Sequence, residues 1–336
     1  MKNKILLALL GIIAGSGVQF VYSQTKQKEL EETIEFVNSY KRNEKKIKEQ
    51  HLLIKAILQD SVEDANKAIE NGAKVDYQQD NKRPLFSIYP SYKEAIAKEH
   101  KNIQAKNLLW YLYEQVTPLG LAIRYNRPVM VKLLLEHGAN PNLTFNYQKT
   151  PLMSAAESEI DDASITTMLL KYGADPHKID KSSYTALYYA FISKNKKIME
   201  ALVKNDANIN ERFGGETLLF KEVNTHNADR SVVKKLLELG ADPNITDNGR
   251  RTPLIIETSV RNSNIDIVDL LLKFGANPNL IDNFGESALM NAIDGNSLTI
   301  IETLLINGAN KNLLPTNYVQ KLNQLIQTPE TKNEKD

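Results

Sequence analysis

The sequence predicts an all-α repeat solenoid of about eight helix-turn-helix units joined by short β-hairpin loops, with an N-terminal leader helix and a C-terminal capping helix. Three observations carry this expectation. A Thr-Pro-Leu slot recurs as Thr117-Pro118-Leu119, Thr150-Pro151-Leu152, Thr185-Ala186-Leu187, Thr217-Leu218-Leu219, Thr252-Pro253-Leu254 and Ser287-Ala288-Leu289, at spacings of 33, 35, 32, 35 and 35 residues. A Gly-Ala slot keeps step with it at Gly72, Gly138, Gly173, Asp206, Gly240, Gly275 and Gly308. Between the two slots apolar residues return at helical spacing, as in Ile265 to Lys273. A fixed period near 33 residues is the mark of a repeat architecture.

Taken in order, residues 1–23 have the layout of a secretory signal peptide: Lys2 and Lys4, an apolar run from Ile5 to Ala14, then Gly15, Ser16 and Gly17. Val21 and Ser23 are small enough for cleavage recognition, so cleavage is expected after Ser23, leaving 40 basic and 41 acidic residues. The competing reading is an inner-membrane anchor over residues 5–22, which at 18 residues just reaches the length of a span. A lipoprotein is excluded, because no cysteine follows the apolar run.

Residues 24–50 read as a leader helix and linker, with Leu30, Ile34 and Val37 at helical spacing. The polar run Lys41 to Gln50 is either a solvated face or a flexible break. The repeat domain is expected over residues 51–313. Its first pair, Leu52 to Leu58 and Val62 to Glu70, lacks the opening Thr-Pro-Leu. No Gly-Ala marker falls midway in the 66-residue gap between Gly72 and Gly138, so residues 83–116 are expected to form a degenerate repeat holding Trp110. Trp110 and Tyr113 either fill the core there or serve a partner.

Six regular units follow. The distance from Thr slot to Gly slot is 21 residues in those starting at 117, 185 and 287, and 23 in those starting at 150, 217 and 252. The extra residues fall in polar joints such as Glu157 to Ser164 and Thr225 to Ser231. Residues 314–327 read as the capping helix and 328–336 as a disordered tail.

The residue types fit these places. A Thr hydroxyl caps a helix start, and Pro suits the first turn, where no N–H is needed. Gly138, Gly240, Gly275 and Gly308 sit where a left-handed residue ends a helix. Asn142, Asn244, Asn279 and Asn312 are placed to open the next turn.

This combination of period, Thr-Pro-Leu and Gly-Ala-Asp/Asn-x-Asn resembles the ankyrin-repeat family. Two departures stand out. The histidine usual after Thr-Pro-Leu is replaced by Gly120, Met153, Tyr188, Phe220, Ile255 and Met290, and Asp206 stands where glycine is usual, which should cost about 1 kcal/mol if left-handed.

Composition narrows the function. Lys plus Arg total 42 against 41 Asp plus Glu, which argues against general affinity for nucleic acid or acidic lipid. The absence of cysteine removes disulfides, thiolate metal sites and a cysteine nucleophile. The five histidines include no pair at ligand spacing. Gly-x-Ser-x-Gly, Walker-type, dinucleotide and His-Glu-x-x-His motifs are absent, so no catalytic, cofactor or metal site is assigned.

What the resemblance implies is protein binding through hairpin tips and a concave face. On matching positions that surface comprises Arg124, Tyr147, Lys149, Ser182, Tyr184, Phe213, Glu216, Asn248, Arg251, Phe284 and Glu286, with Trp110 in the degenerate unit. Tyr147, Tyr184, Phe213 and Phe284 are expected to be solvent-exposed aromatics, and so the preferred contacts. The expectation is a monomeric, non-enzymatic module, exported to a bacterial periplasm, that binds another protein of unknown identity. Its use is as an inhibitor or immunity protein against a toxin or hydrolase, or as a scaffold; an enzyme is the remaining class.

Overall fold

The computed structural model describes residues 44–77 and 117–327, apart from positions 159, 161, 226 and 260–262. The predicted signal peptide, most of the leader, the degenerate repeat with Trp110 and the tail lie outside the described residues. Those described divide into two compact units. No helix among them is long and apolar enough to cross a membrane.

The first unit draws on α1 (Glu44–Gln59) and α2 (Val62–Glu70). Helix α1 runs through residues 44–50, so of the two readings of that polar run, solvated face or flexible break, the break does not hold there. Gln50 accounts for part of this: buried, it accepts the Lys74 N–H at 2.9 Å and donates to the Lys74 carbonyl at 3.1 Å.

The second unit spans 57–62 and 75 onward. It contains six helix pairs: α3 (Pro118–Arg124) with α4 (Pro128–Glu136), α5 (Pro151–Ala156) with α6 (Ser164–Lys171), α7 (Ala186–Ile192) with α8 (Lys196–Val203), α9 (Leu218–Val223) with α10 (Arg230–Glu238), α11 (Pro253–Ser259) with α12 (Ile265–Lys273), and α13 (Ala288–Asp294) with α14 (Leu298–Ile306). Helix α15 (Thr316–Gln327) follows, with Leu322 buried and Asp294 accepting from the Tyr318 hydroxyl at 2.7 Å and the Lys321 ammonium at 2.8 Å. The fold is an all-α repeat stack. Among the described residues the expected hairpins close through isolated bridges, Phe145–Lys149, Phe213–Glu216 and Ile281–Ser287, rather than through strands.

Each marker performs a local task. The hydroxyls of Thr117, Thr150, Thr217, Thr252 and Ser287 accept the N–H three residues on, capping the first helix of each pair; Thr185 makes no such bond. That third residue is where the usual histidine is missing. Met153, Phe220, Ile255 and Met290 there are buried apolar side chains, so packing stands where the family's polar network would be. Asp206 is left-handed, with φ 70°, in the slot where Gly138, Gly240 and Gly275 have φ 83–92°.

The asparagines do more than open a turn. Four residues after the Gly slot, the Asn142 amide donates to the Gly173 carbonyl (2.7 Å) and accepts the Asp175 N–H (2.8 Å), both in the next repeat. Asn210 does the same to Gly240 and Asp242, Asn244 to Gly275 and Asn277, and Asn279 to Gly308 and Asn310. Asp76 holds this place after Gly72 and accepts from Asn140 N–H at 2.8 Å.

Among the described residues the clamp is missing at one joint. His177 occupies the asparagine position, and the repeat that it faces is the one with Asp206. That joint lies between α5/α6 and α7/α8, and there Asn195 at the start of α8 donates instead to the carbonyls of Ser158 (3.2 Å) and Ile160 (2.6 Å) in the preceding repeat. The next joint keeps its clamp, through Asn210, but is wider: α7 and α9, and α8 and α10, approach less closely than other neighbouring helices. Aromatic bulk fills the space: Tyr188 lies 4.8 Å from Phe213 between ring centroids, and Phe220 is fully buried. Polar bridges between the second helices cross the joint as well, Lys235 to Glu200 at 2.6 Å and Lys196 to Ser231 at 2.7 Å.

The longer joints are closed by buried polar side chains. Glu222 accepts the Asp229 N–H at 2.8 Å and Glu257 the Asn264 N–H at 2.6 Å, while Asn195 donates back to the carbonyls of Ser158 and Ile160. Each supplies a partner to loop backbone that would otherwise be left unpaired.

Candidate protein-binding surface

Five hairpins lie in a row along the repeat stack. Three are built on a buried aspartate five residues before the Thr slot. Asp180, Asp247 and Asp282 each direct one carboxylate oxygen at two backbone N–H groups of their own loop, two and four residues on, at 2.8–3.0 Å. A left-handed residue, Ser183, Arg250 or Gly285, then returns the chain, the pattern of a three-residue hairpin loop. Burial acts to raise the Asp247 carboxyl, but the Arg251 guanidinium and the N–H groups of Arg251 and Gly249 outweigh it, and the net shift is downward.

The other two hairpins use different chemistry. Gly214 and Gly215, both at positive φ, make a two-residue turn between Phe213 and Glu216. The hairpin between Phe145 and Lys149 instead places Tyr147 (φ 59°) and Gln148 (φ 60°) left-handed in succession. Neighbouring tips touch. Lys181 N–H donates to the Tyr147 carbonyl at 2.9 Å and Asn283 N–H to the Gly249 carbonyl at 3.0 Å. Gly215 lies so close to Asn248 that a Cβ there would fall 2.9 Å from its amide nitrogen, and Tyr184 reaches Phe213 at 6.4 Å.

The four aromatics expected at the surface separate into two kinds. Tyr147 is 72% exposed and Phe284 86%. Phe213 is only 3% exposed and belongs to the core, a correction whose cause is the wide joint between α7 and α9, where its ring packs against Tyr188. Tyr184 is half-buried and stacks on Tyr188 with centroids 4.0 Å apart and planes 7° from parallel.

The charged candidates divide likewise. Arg251 is held by Asp247 through Nε (2.9 Å) and Nη2 (2.6 Å). Lys149 pairs with Glu157 and sits 4.2 Å over the Tyr189 ring; Glu216 pairs with Lys221 at 3.1 Å. These three hold the hairpins as much as they present charge. Arg124, Ser182, Asn248 and Glu286 are exposed, and Trp110 lies outside the described residues. Sequence reasoning passed over Lys181, Arg212 and Arg250, all exposed at the tips, and over Ile179 and Ile281, exposed at the hairpin bases. Their signal was available: all lie in the six residues before a Thr slot.

Comparison with known proteins bears on the whole arrangement. The sequence matches the family described as ankyrin repeats (3 copies) over residues 92–180 and 219–314, more than half the chain. The unmatched interval, 181–218, holds Tyr184, Tyr188, Asp206 and Phe213, and so takes in the aromatic side of the wide joint between α7/α8 and α9/α10. An ankyrin repeat protein of fowlpox virus (strain NVSL) is 30% identical over 132 residues, covering 39% of this chain and 19% of that protein. One of Acanthamoeba polyphaga mimivirus is 37% identical over 149 residues, covering 40% of this chain and 23% of that protein. The chain thus spans less than a quarter of the length of these curated relatives. Among solved structures, the ankyrin repeat domain of Bcl-3 superposes with a TM-score of 0.56 at 21% identity, over 76% of this chain and 97% of that one. The human ASB11 ankyrin repeat domain superposes with a TM-score of 0.50 at 24% identity, over 77% and 98%.

Proposed function

The chain belongs to the ankyrin-repeat family, and from that premise we propose that it is a non-enzymatic binding module whose row of hairpin tips, together with the adjoining first helices, receives another protein. The observation that supports this reading most is Tyr147. It is a large aromatic, 72% exposed, at the tip of a hairpin that adopts left-handed backbone at two successive non-glycine residues. Each such residue costs about 1 kcal/mol relative to glycine, and the Gly214-Gly215 turn, two hairpins along the row, shows the unstrained alternative. Phe284, exposed at another tip, repeats the display. Exposed aromatics of this kind are typical anchors of protein interfaces.

The module acts, on this proposal, in a bacterial envelope, with residues 1–23 as its signal peptide; that placement rests on the layout of those residues alone. Neutralisation of a toxin or secreted hydrolase and scaffolding of a resident enzyme are the two uses to separate. An inhibitor forms a one-to-one complex that abolishes the partner's activity, whereas a scaffold co-purifies with a partner that stays active. The test is cross-linked affinity capture from an envelope extract with wild type and with Tyr147→Ala/Phe284→Ala. Loss of the captured protein with helicity unchanged supports the hairpin row, and undiminished capture overturns it. Intact mass of the exported protein checks the leader: a mass including Met1 defeats cleavage after Ser23.

A further inference from the structure

We infer that the partner contributes an acidic, extended segment that lies along the hairpin row and meets Lys181, Arg212 and Arg250. This rests on the row being the binding surface. The three cations project from three successive hairpins, and all are exposed. Among the described residues no carboxylate lies within ion-pair distance of any of them; the Arg212 guanidinium donates only to the Gly215 carbonyl at 2.7 Å. The contrast with the other tip cations is what gives the pattern meaning. Lys149 and Arg251 are neutralised by Glu157 and Asp247, and Glu216 is taken by Lys221. What remains uncompensated at the centre of the row is positive, flanked by Tyr147 on one side and by Phe284 with Glu286 on the other. The exposed centre of the row therefore presents positive charge without an ion-pair partner among the described residues, although the whole chain is nearly neutral, at +1.

The spacing selects the shape of the segment. Packed helices lie about 8–10 Å apart, and that sets the step from one tip to the next. A polyproline II segment presents one face every third residue, a repeat of about 9 Å. Carboxylates at every third position of an extended segment therefore match three successive tips, while its intervening residues can reach the rings of Tyr147 and Phe284. Charge complementarity of this sort adds encounter rate and orientation more than affinity, so the contact should be strongly salt-dependent.

The test uses the full chain and a labelled Glu-Pro-Pro repeat peptide, with a Lys-Pro-Pro repeat as counterpart, followed by fluorescence anisotropy. The acidic peptide should bind at low salt and the basic one should not. Exposed pairs are worth up to about 1 kcal/mol each, so Lys181→Glu/Arg212→Glu/Arg250→Glu should weaken binding roughly tenfold or more with helicity unchanged. Equal binding of the two peptides, or insensitivity to the charge reversal, overturns the inference. So does tighter binding of a single-stranded oligonucleotide, which would assign the cations to nucleic acid. If a captured partner depends on Tyr147 and Phe284 but not on the three cations, the acidic segment fails while the hairpin surface stands; dependence on neither removes both.

Discussion

Glu257→Gln should make the protein more stable at pH 8 than the wild type while leaving the two nearly equal near pH 4.5. Glu257 is 4% exposed, and burial pushes its carboxyl up from 4.5 to about 7, against the opposing pull of the Asn264 N–H. Because the folded value is raised, the folded state holds a proton that the unfolded state releases between those two pH values. The associated stability is fully present below pH 4.5 and is lost as pH rises through 7. A difference of about 2.5 pH units corresponds to about 3 kcal/mol. Glutamine keeps an oxygen for the Asn264 N–H and never ionises, so its contribution is level across this range. Thermal denaturation followed by circular dichroism at pH 4.5, 6 and 8 would show the variant gaining on the wild type as pH rises. The gap in midpoint should reach roughly 6–12 °C at pH 8, if each kcal/mol is worth about 2–4 °C. A gap that does not change with pH, or a glutamine variant that loses ground at pH 8, would refute the argument that ionisation of this buried carboxylate is what costs stability.

Phe213→Ala should destabilise the fold by about 3–5 kcal/mol in urea titration, as expected for a buried aromatic, whereas Tyr147→Ala should stay within about 0.5 kcal/mol; comparable losses would contradict the burial assigned to the two rings. Asn244→Ala removes both bonds to the following repeat and should cost about 2 kcal/mol by the same titration. Conversely, His177→Asn with Asp206→Gly supplies the missing clamp residue between α5/α6 and α7/α8 and removes a left-handed aspartate, and should raise the urea midpoint; a lowered midpoint would show that the Asn195 bonds across that joint are already the better solution.

What was legible in the sequence was whatever a residue does to its own backbone. Thr at a helix start and Gly at a left-handed helix end are local requirements, and they recur in register, so the repeat stack could be read from them. Contacts between repeats were much less legible. Asn142 looked like a turn residue because its true partners, Gly173 and Asp175, lie a full repeat away. The aspartates at 180, 247 and 282 recur five residues before the Thr slot, but an aspartate in a polar loop is ordinarily solvated, and nothing local marks these three as buried around their own turn. Phe213 was misplaced for a related reason. Hairpin tips are ordinarily wet, and only the particular bulk of Tyr188 across the joint encloses this one. The polar run before Gln50 left a solvated face and a flexible break both open because nothing nearby in sequence announces that Gln50 is tied to Lys74, 24 residues on.

The interrupted asparagine ladder sets how the stack yields. In a repeat array stability is close to a sum of unit terms and nearest-neighbour coupling terms. Among the described residues five joints carry an amide or carboxylate link four residues after the Gly slot, the joint between α5/α6 and α7/α8 carries the Asn195 bonds instead, and the joint between α7/α8 and α9/α10 has the link but stands wider, filled by rings and lysine bridges. Coupling is therefore uneven along the stack, and a chain pulled from its ends should part between α7/α8 and α9/α10, where neighbouring helices approach least closely, before it parts at the well-packed joint beside it.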